Sequence, residues 1–250
     1  MKFTNAWVVL YALSISLLNS CTSFSPDVES KNNASENAPV LLTPMQSKAK
    51  VFNTLPNLYK IKASEHKSST QTLSQFKAAL ALKQQGKFTQ ARERFMAMSE
   101  QHPDLSGIWL QLALLIKEQV KEQVKEQGEN DIEQKHKDMS IYLNNAISAN
   151  PLSYLAHNEL AQVLRKQGEF QQALNHYELA IKSWPAFAQG YLNRGILYDL
   201  YMGQKSLALA DYEFYQALSH DDSRQIKGWI IDLQRQIKSA QKGTQTGAML

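Results

Sequence analysis

The side chains best suited to catalysis or metal binding are scattered along this sequence. Six histidines lie at positions 66, 102, 136, 157, 176 and 220, and their spacing gives no recognisable metal pair. The sequence has no G-x-S-x-G nucleophile motif, no Walker phosphate loop and no H-E-x-x-H zinc motif. Glu159 and Glu169 have no evident second carboxylate for acid–base catalysis. We therefore expect no catalytic site, no metal site and no cofactor, and we interpret His157 and His176 as packing or surface residues.

The only cysteine, Cys21, follows an apolar run near the N-terminus. Met1 and Lys2 form a short positive start, and the run AWVVLYALSISLL occupies positions 6 to 18. Its length is typical of a secretory signal peptide and is short for a membrane span, which needs about 20 apolar residues. Positions 18 to 21 read LNSC, with leucine three residues before the cysteine and a small residue just before it. This motif resembles the lipobox of bacterial lipoproteins.

The lipobox resemblance implies that residues 1–20 are a cleaved signal peptide and that Cys21 is lipidated on its sulfur and its new amine. Several acyl chains anchor a protein firmly, whereas a single chain binds membranes only marginally. Thr22 follows the cysteine, at a place where aspartate tends to retain enteric lipoproteins in the inner membrane. The resemblance therefore implies a lipid-anchored protein of the cell envelope, at the outer membrane and facing the periplasm. An ordinary signal peptide followed by an incidental cysteine is the alternative.

Residues 21–71 differ in composition from the rest of the chain. The stretch TSFSPDVESKNNASENAP, at positions 22–39, is rich in Ser, Asn and Pro and has too few apolar groups to offset the entropy of ordering. We expect a flexible tether here, with apolar residues between positions 51 and 61 partly docked on the folded domain. The formal charge of +4 comes with no dominant basic cluster, which indicates a solvated surface and no nucleic-acid partner.

From position 72 onward the apolar pattern is helical and repeats itself. LALKQQGKFTQARERFMAMSEQHP, positions 80–103, aligns without a gap with QVLRKQGEFQQALNHYELAIKSWP, positions 162–185. Pro151 and Pro185 are 34 residues apart, which is the period of the tetratricopeptide repeat. The sequence resembles that family, and the resemblance implies an all-α solenoid of about four helix-turn-helix repeats. These would occupy 72–105, 106–153, 154–187 and 188–222.

Small residues mark the points where the two helices of each repeat would cross closely. Ala79 and Ala91 in the first frame correspond to Ala161 and Ala173 in the third, because a large side chain there would push the helices apart. An amphipathic helix over 223–240 is predicted to cap the last apolar face of the stack. This cap completes a repeat domain over 72–240, and we expect residues 241–250 to be a disordered tail.

The second frame is 48 residues long and contains KEQVKEQVKEQG at positions 117–128. The helical pattern continues on both sides of Gly128, which predicts about two extra turns on each helix of this repeat. Such a hairpin would project about 10 Å beyond its neighbours. The 117–136 insertion could be a projecting contact arm or a longer solvated hairpin with no separate role.

Members of the family most often bind partners in a concave groove lined by the first helix of each repeat. The resemblance assigns the groove by position to these residues: Phe76, Leu110, Asn158, Gln162, Arg165, Lys166, Leu192 and Asp199. The two-carboxylate clamp of chaperone-binding members requires lysine and asparagine where Phe76 and Leu80 stand, so we do not expect it. This mixed groove would suit an amphipathic helix or an extended segment.

The resemblance thus implies a periplasmic protein–protein interaction scaffold for a cell-envelope complex. It could resemble the pilotins of type IV pilus secretins or serve as an accessory of a TonB-type system. The alternatives are an adaptor or regulator of peptidoglycan-processing enzymes, or a cell-wall enzyme. The partners would be other envelope proteins and, through the lipid, the membrane; the sequence leaves the partner and the oligomeric state open.

Replacing the lipidated residue tests the anchor directly. We expect Cys21→Ser to move the protein from the membrane fraction to the soluble fraction, because no sulfur remains to carry the lipid. Cell fractionation followed by immunoblotting measures this change. A variant that stays membrane-bound at the wild-type level would refute lipidation at Cys21.

Overall fold

The computed structural model describes residues 43–65, 68–123 and 129–247. These residues form eleven α-helices and contain no β-strand. The predicted signal peptide, Cys21, residues 22–42, residues 66–67, the middle of the KEQ insertion at 124–128, and residues 248–250 lie outside the described part.

Eight of these helices pack as four consecutive antiparallel pairs. The first helices of the pairs are α3 (Thr70–Gln84), α5 (Ser106–Gln123), α7 (Tyr154–Lys166) and α9 (Ala188–Leu200), and the second helices are α4 (Phe88–Gln101), α6 (Glu129–Ala149), α8 (Phe170–Ser183) and α10 (Lys205–Ser219). Each pair also packs on the next pair in sequence. This arrangement confirms the predicted all-α solenoid of about four helical repeats.

The predicted crossing points are buried. Ala79, Ala91, Ala161 and Ala173 have no exposed surface, and large side chains fill the space beside them, including Phe95 and Tyr177. Small residues at these points let the helix backbones approach closely, so that neighbouring large side chains interdigitate at the density of a protein interior.

The turns within the pairs use left-handed backbone where the sequence supplies glycine. Gly86, Gly168 and Gly203 have φ values of 74°, 84° and 65°, a conformation that costs other residues about 1–2 kcal/mol. His220 ends α10 with a φ of 56° at the position where earlier repeats have proline. The fourth repeat therefore ends in a left-handed cap, and α11 begins at Arg224.

The second repeat is the longest. Helix α5 has 18 residues and α6 has 21, compared with 13 and 14 in α7 and α8. At a rise of about 1.5 Å per residue, α5 is about 7 Å longer than α7 and α6 about 10 Å longer than α8. Val120, in the extended part of α5, and Met139 of α6 are both buried.

The N-terminal part of the described chain differs from the flexible tether that we expected. Residues 43–65, which we call the strap, form α1 (Pro44–Phe52) and α2 (Leu58–Glu65). Helix α1 packs on α10, where Ala49 is only 1% exposed. A tertiary apolar contact therefore orders a segment whose own composition predicts little structure. Docking on the repeats was predicted, but the helices and the contact with the last repeat were not.

The C-terminal helix also differs from the sequence prediction. Helix α11 (Arg224–Gly247) covers the last pair through Ile226, Ile230 and Leu233, which are buried against Tyr198 and Tyr212. It continues seven residues past the predicted end of the cap at 240, so residues 241–247 are helical and not a loose tail. The residues QKGTQTG supply no proline that would stop the helix earlier.

A pair of glycines offers a matched test of this packing. A Cβ added at Gly195 would lie 2.7 Å from Cε1 of the buried Tyr212 ring, whereas one at Gly228 meets nothing within 4 Å. We expect Gly195→Ala to lower the free energy of unfolding by about 1–3 kcal/mol through overpacking. Gly228→Ala should raise it by up to about 1 kcal/mol, because alanine favours the helix. Urea denaturation measures both, and equal effects would contradict the close crossing.

Candidate protein-binding groove

The first helices of successive repeats lie side by side and are joined by one side-chain contact at each step. Lys83 donates to Gln111 over 2.9 Å between α3 and α5, and Lys117 pairs with Glu159 between α5 and α7. Asn193 donates to the Asn158 side-chain oxygen over 2.8 Å between α9 and α7. These contacts align four helices into one continuous surface, which we call the groove.

Two of the predicted groove residues are not on that surface. Leu110 is 4% exposed within an apolar cluster, and Asn158 is 2% exposed and bonded to Asn193. Both side chains therefore hold neighbouring helices together and are not offered to a partner.

The other predicted groove residues differ in how far their side chains are exposed to a partner. Phe76 and Leu192 are half-buried, Phe76 against the ring of Phe95 at 5.4 Å. Asp199 accepts from the Tyr212 hydroxyl at 3.3 Å. Lys166 is exposed. The structure brings Gln162, Arg165 and Lys166 together on α7 and separates them from Phe76, on the first repeat.

Arg165 has a guanidinium that the described residues leave incompletely bonded. Its charged carbon lies 5.7 Å from the centre of the Tyr201 ring, a cation–π distance. Its Nε and Nη1 atoms are buried and have no hydrogen-bond partner among the described residues. The nearby Tyr177 hydroxyl is also buried without a hydrogen-bond partner among the described residues. Burial raises the pKa of this phenol. Leaving such buried donors unpaired costs free energy that no hydrogen bond within the described residues offsets.

A small cavity of about 90 Å³ opens beside these residues, between the extended second hairpin and α7. Its lining includes Lys117, His136, Glu159 and Lys166. Lys166 is exposed as a whole but partly desolvated beside the cavity, which lowers its pKa; the positive charges of Lys117 and Arg165 lower it further, while Glu159 opposes them. The centre of the groove is thus polar and carries both signs of charge.

The N-terminal end of the groove has a larger cleft, of about 270 Å³. Leu73, Phe76 and Ile108 line it from the repeats, and Tyr59 and Ala63 line it from α2 of the strap. The sequence predicted that residues 51–61 would cover part of this apolar end, and Tyr59 is the residue in that range that lines the cleft.

Sequence spacing did not reveal the contact between His157 and His176. Their Nδ1 atoms are 2.9 Å apart, and the Nε2 atom of His157 lies 3.0 Å from the Pro151 carbonyl oxygen. Because a carbonyl only accepts, His157 carries its proton on Nε2, and its Nδ1 accepts from His176. Burial lowers the pKa of both rings, that of His176 to about 4. The signal available in the sequence was that both fall on facing helices of one repeat.

The described residues show no metal centre or membrane-spanning helix. No three His, Cys, Asp or Glu side chains within 43–65, 68–123 and 129–247 are gathered so that they could hold a metal ion. Over the same ranges, no helix combines the length and the apolar character that crossing a membrane requires.

A family model matches the C-terminal repeats of the chain. The family model of the tetratricopeptide repeat matches residues 142–188 and 158–221. The fold is that of a tetratricopeptide-repeat solenoid. A search of curated proteins found no match.

Solved tetratricopeptide-type structures resemble the chain at low sequence identity. Pseudomonas aeruginosa pilF superimposes with a TM-score of 0.54 at 16% identity, over 67% of this chain and 69% of that one. A tetratricopeptide repeat protein of Parabacteroides merdae gives 0.53 at 16% identity, over 68% of this chain but only 62% of its own length. A thermophilic protein of this type from Thermus thermophilus gives 0.51 at 17% identity, over 78% and 90%. At such identities these likenesses concern the fold alone.

The histidine pair predicts an acid-sensitive stability. The folded repeat holds the pKa of both rings below the value of about 6.5 in an unfolded chain. Below that pH the unfolded chain binds more protons, so stability falls as the pH drops from 6.5 towards 4. His176→Asn keeps a donor for His157 and removes one titrating ring. We expect it to reduce the loss of stability by less than about 1.4 kcal/mol per pH unit, the value for one fully coupled group, because His176 is partly solvated.

Urea denaturation at pH 7, 6 and 5 measures the effect. His220→Asn is the matched control, because it removes an exposed histidine outside the pair and asparagine tolerates the left-handed backbone at position 220. An unchanged slope in His176→Asn would show that the pair does not couple folding to protons.

Proposed function

We propose that this protein is a membrane-anchored scaffold that binds protein partners in the tetratricopeptide groove and serves a cell-envelope complex. The observation that carries the proposal is the row of four first helices, aligned by a side-chain contact at each step. Such a row presents a long preformed surface, and a rigid surface loses little conformational entropy when a partner binds.

The chemistry of the groove favours an extended or amphipathic segment as the ligand. Its N-terminal cleft takes apolar side chains, through Leu73 and Phe76. Its centre offers the exposed side chain of Lys166 and the part-buried guanidinium of Arg165, whose positive charges favour hydrogen-bond acceptors. A segment with an apolar group followed by hydrogen-bond acceptors would complement both parts.

The anchor and the location are part of the same proposal. Lipidation at Cys21 would attach the domain to a membrane through the residues that separate Cys21 from Thr43, and the lipobox resemblance favours the periplasmic face of the outer membrane. A fully extended chain of this length reaches at most about 75 Å. The anchor therefore limits how far from the membrane the groove can capture its partner.

Two more specific roles agree with this arrangement, a pilotin-like assistant of a type IV pilus secretin and an accessory of a TonB-type system. The likeness to pilF concerns the fold and does not choose between them. An adaptor or regulator of peptidoglycan-processing enzymes is the second candidate, because it would use the same groove. A cell-wall enzyme is less favoured, since Glu159 is paired with Lys117 and Glu169 accepts from Gln172.

Charge reversal in the groove tests the binding surface. We expect Arg165→Glu to weaken partner capture by about tenfold or more, as loss of a charged hydrogen bond costs about 1.5–3 kcal/mol. The measurement is recovery of envelope proteins after mild crosslinking and affinity purification, compared by quantitative mass spectrometry. Lys166→Glu, at an exposed neighbour, should act in the same direction without disturbing the Tyr201 contact.

Arg92→Glu is the matched control, because Arg92 is exposed on the second helix of the first repeat, away from the groove. It should leave capture unchanged. If all three variants recovered the same amount of envelope proteins as the wild type, at melting temperatures close to wild type, partners would bind elsewhere.

A further inference from the structure

The strap runs back along the solenoid from the last repeat to the first. Helix α1 packs on α10 of the fourth repeat. Tyr59 of α2 makes an edge-on contact with Tyr154 of the third repeat, with ring centres 5.8 Å apart. Ala63 then lines the cleft beside Phe76 of the first repeat. The chain therefore passes all the way along one edge of the stack before the first repeat begins.

The docking of α1 on the fourth repeat is an apolar contact with a well-defined geometry. Ala49 is 1% exposed and lies in a cluster with Tyr191, Phe214 and Leu218. The rings of Phe52 and Phe214 meet edge-on at 5.1 Å. The amine of Lys48 lies 5.3 Å from the Phe214 ring centre, within cation–π range.

Local hydrogen bonds make the strap a folded element. Thr43 and Gln46 form a reciprocal capping box at the start of α1, and Pro44 occupies the first turn, where it costs no backbone hydrogen bond. The side-chain oxygen of Asn57 accepts from the Lys60 amide at 3.0 Å and caps α2. Two capped helices joined by a short turn are stiffer than a coil of the same length.

We propose that the strap is a tie that fixes the separation of the first and fourth repeats and thereby sets the curvature of the groove. In a repeat stack each unit contacts only its neighbours, so small changes at each interface add up along the solenoid. The strap precedes α3 of the first repeat in the chain and is docked on α10 of the fourth. It therefore links units that are distant in the stack and removes the soft bending motion between them.

Spin labels on the two end repeats measure this effect in the full-length protein. Cys21→Ser removes the only cysteine, and Lys77→Cys on α3 and Lys205→Cys on α10 introduce two exposed labelling sites. Ala49→Glu places a carboxylate where a methyl group is buried against repeat four, and should release α1. We expect the distribution of distances between the labels to broaden and shift on release.

Hydrogen exchange of residues 44–52 reports release independently. It should accelerate at least about tenfold in Ala49→Glu, the change that a loss of 1.4 kcal/mol of docking free energy produces. Phe52→Ala should act in the same direction. Val51→Ala is the matched control, since Val51 is on the same helix and 58% exposed, and it should leave exchange and distances as in the wild type.

Two outcomes would overturn the proposal. Accelerated exchange with an unchanged distance distribution would show that the repeats hold their curvature without the strap. Unchanged exchange in both Ala49→Glu and Phe52→Ala would show that these contacts do not hold α1 on the fourth repeat.

Discussion

The close crossing of paired helices is the constraint on which the rest of this structure depends. At Ala79–Ala91 and Ala161–Ala173 the side chains are small enough for the backbones to approach, and all four are fully buried. Because the crossing is repeated in each pair, successive first helices come to lie side by side. The contacts of Lys83 with Gln111 and of Asn158 with Asn193 then hold neighbouring first helices together. The groove therefore depends on packing within each repeat and on these contacts between repeats.

The sequence predicted the repeats well because their determinants are local. Glycine at a left-handed turn, alanine at a crossing and an aromatic residue beside it recur at fixed spacing. The strap could not be predicted in the same way, since α1 is ordered by contacts with Phe214 and Leu218, more than 150 positions away in the chain. The extension of α11 was missed because its polar residues contain no proline that would mark the end of the helix.

The candidate site was predictable only at the level of position. The family alignment places Leu110 and Asn158 in the groove. Whether a side chain is exposed there depends on its size and on the residues it contacts, and both of these side chains are buried. Arg165 and Lys166 are adjacent in the sequence, yet one stacks on Tyr201 and the other is solvated. The contact between His157 and His176 forms because α7 and α8 face each other and because the Pro151 carbonyl accepts from His157. Spacing rules for metal ligands describe neither condition.

The entry of the chain beside the last repeat has a mechanical consequence. A force applied at Thr43 would load the contact between α1 and α10 before it reached any helical pair. Ala49 is the one buried residue of α1, whereas α8 alone buries Ala173, Tyr177, Ala180 and Ser183. Under such a load the strap would yield first and lengthen the attachment, while the four repeats kept their packing. The strap would therefore protect the packing of the four repeats from a force transmitted through the N-terminal segment.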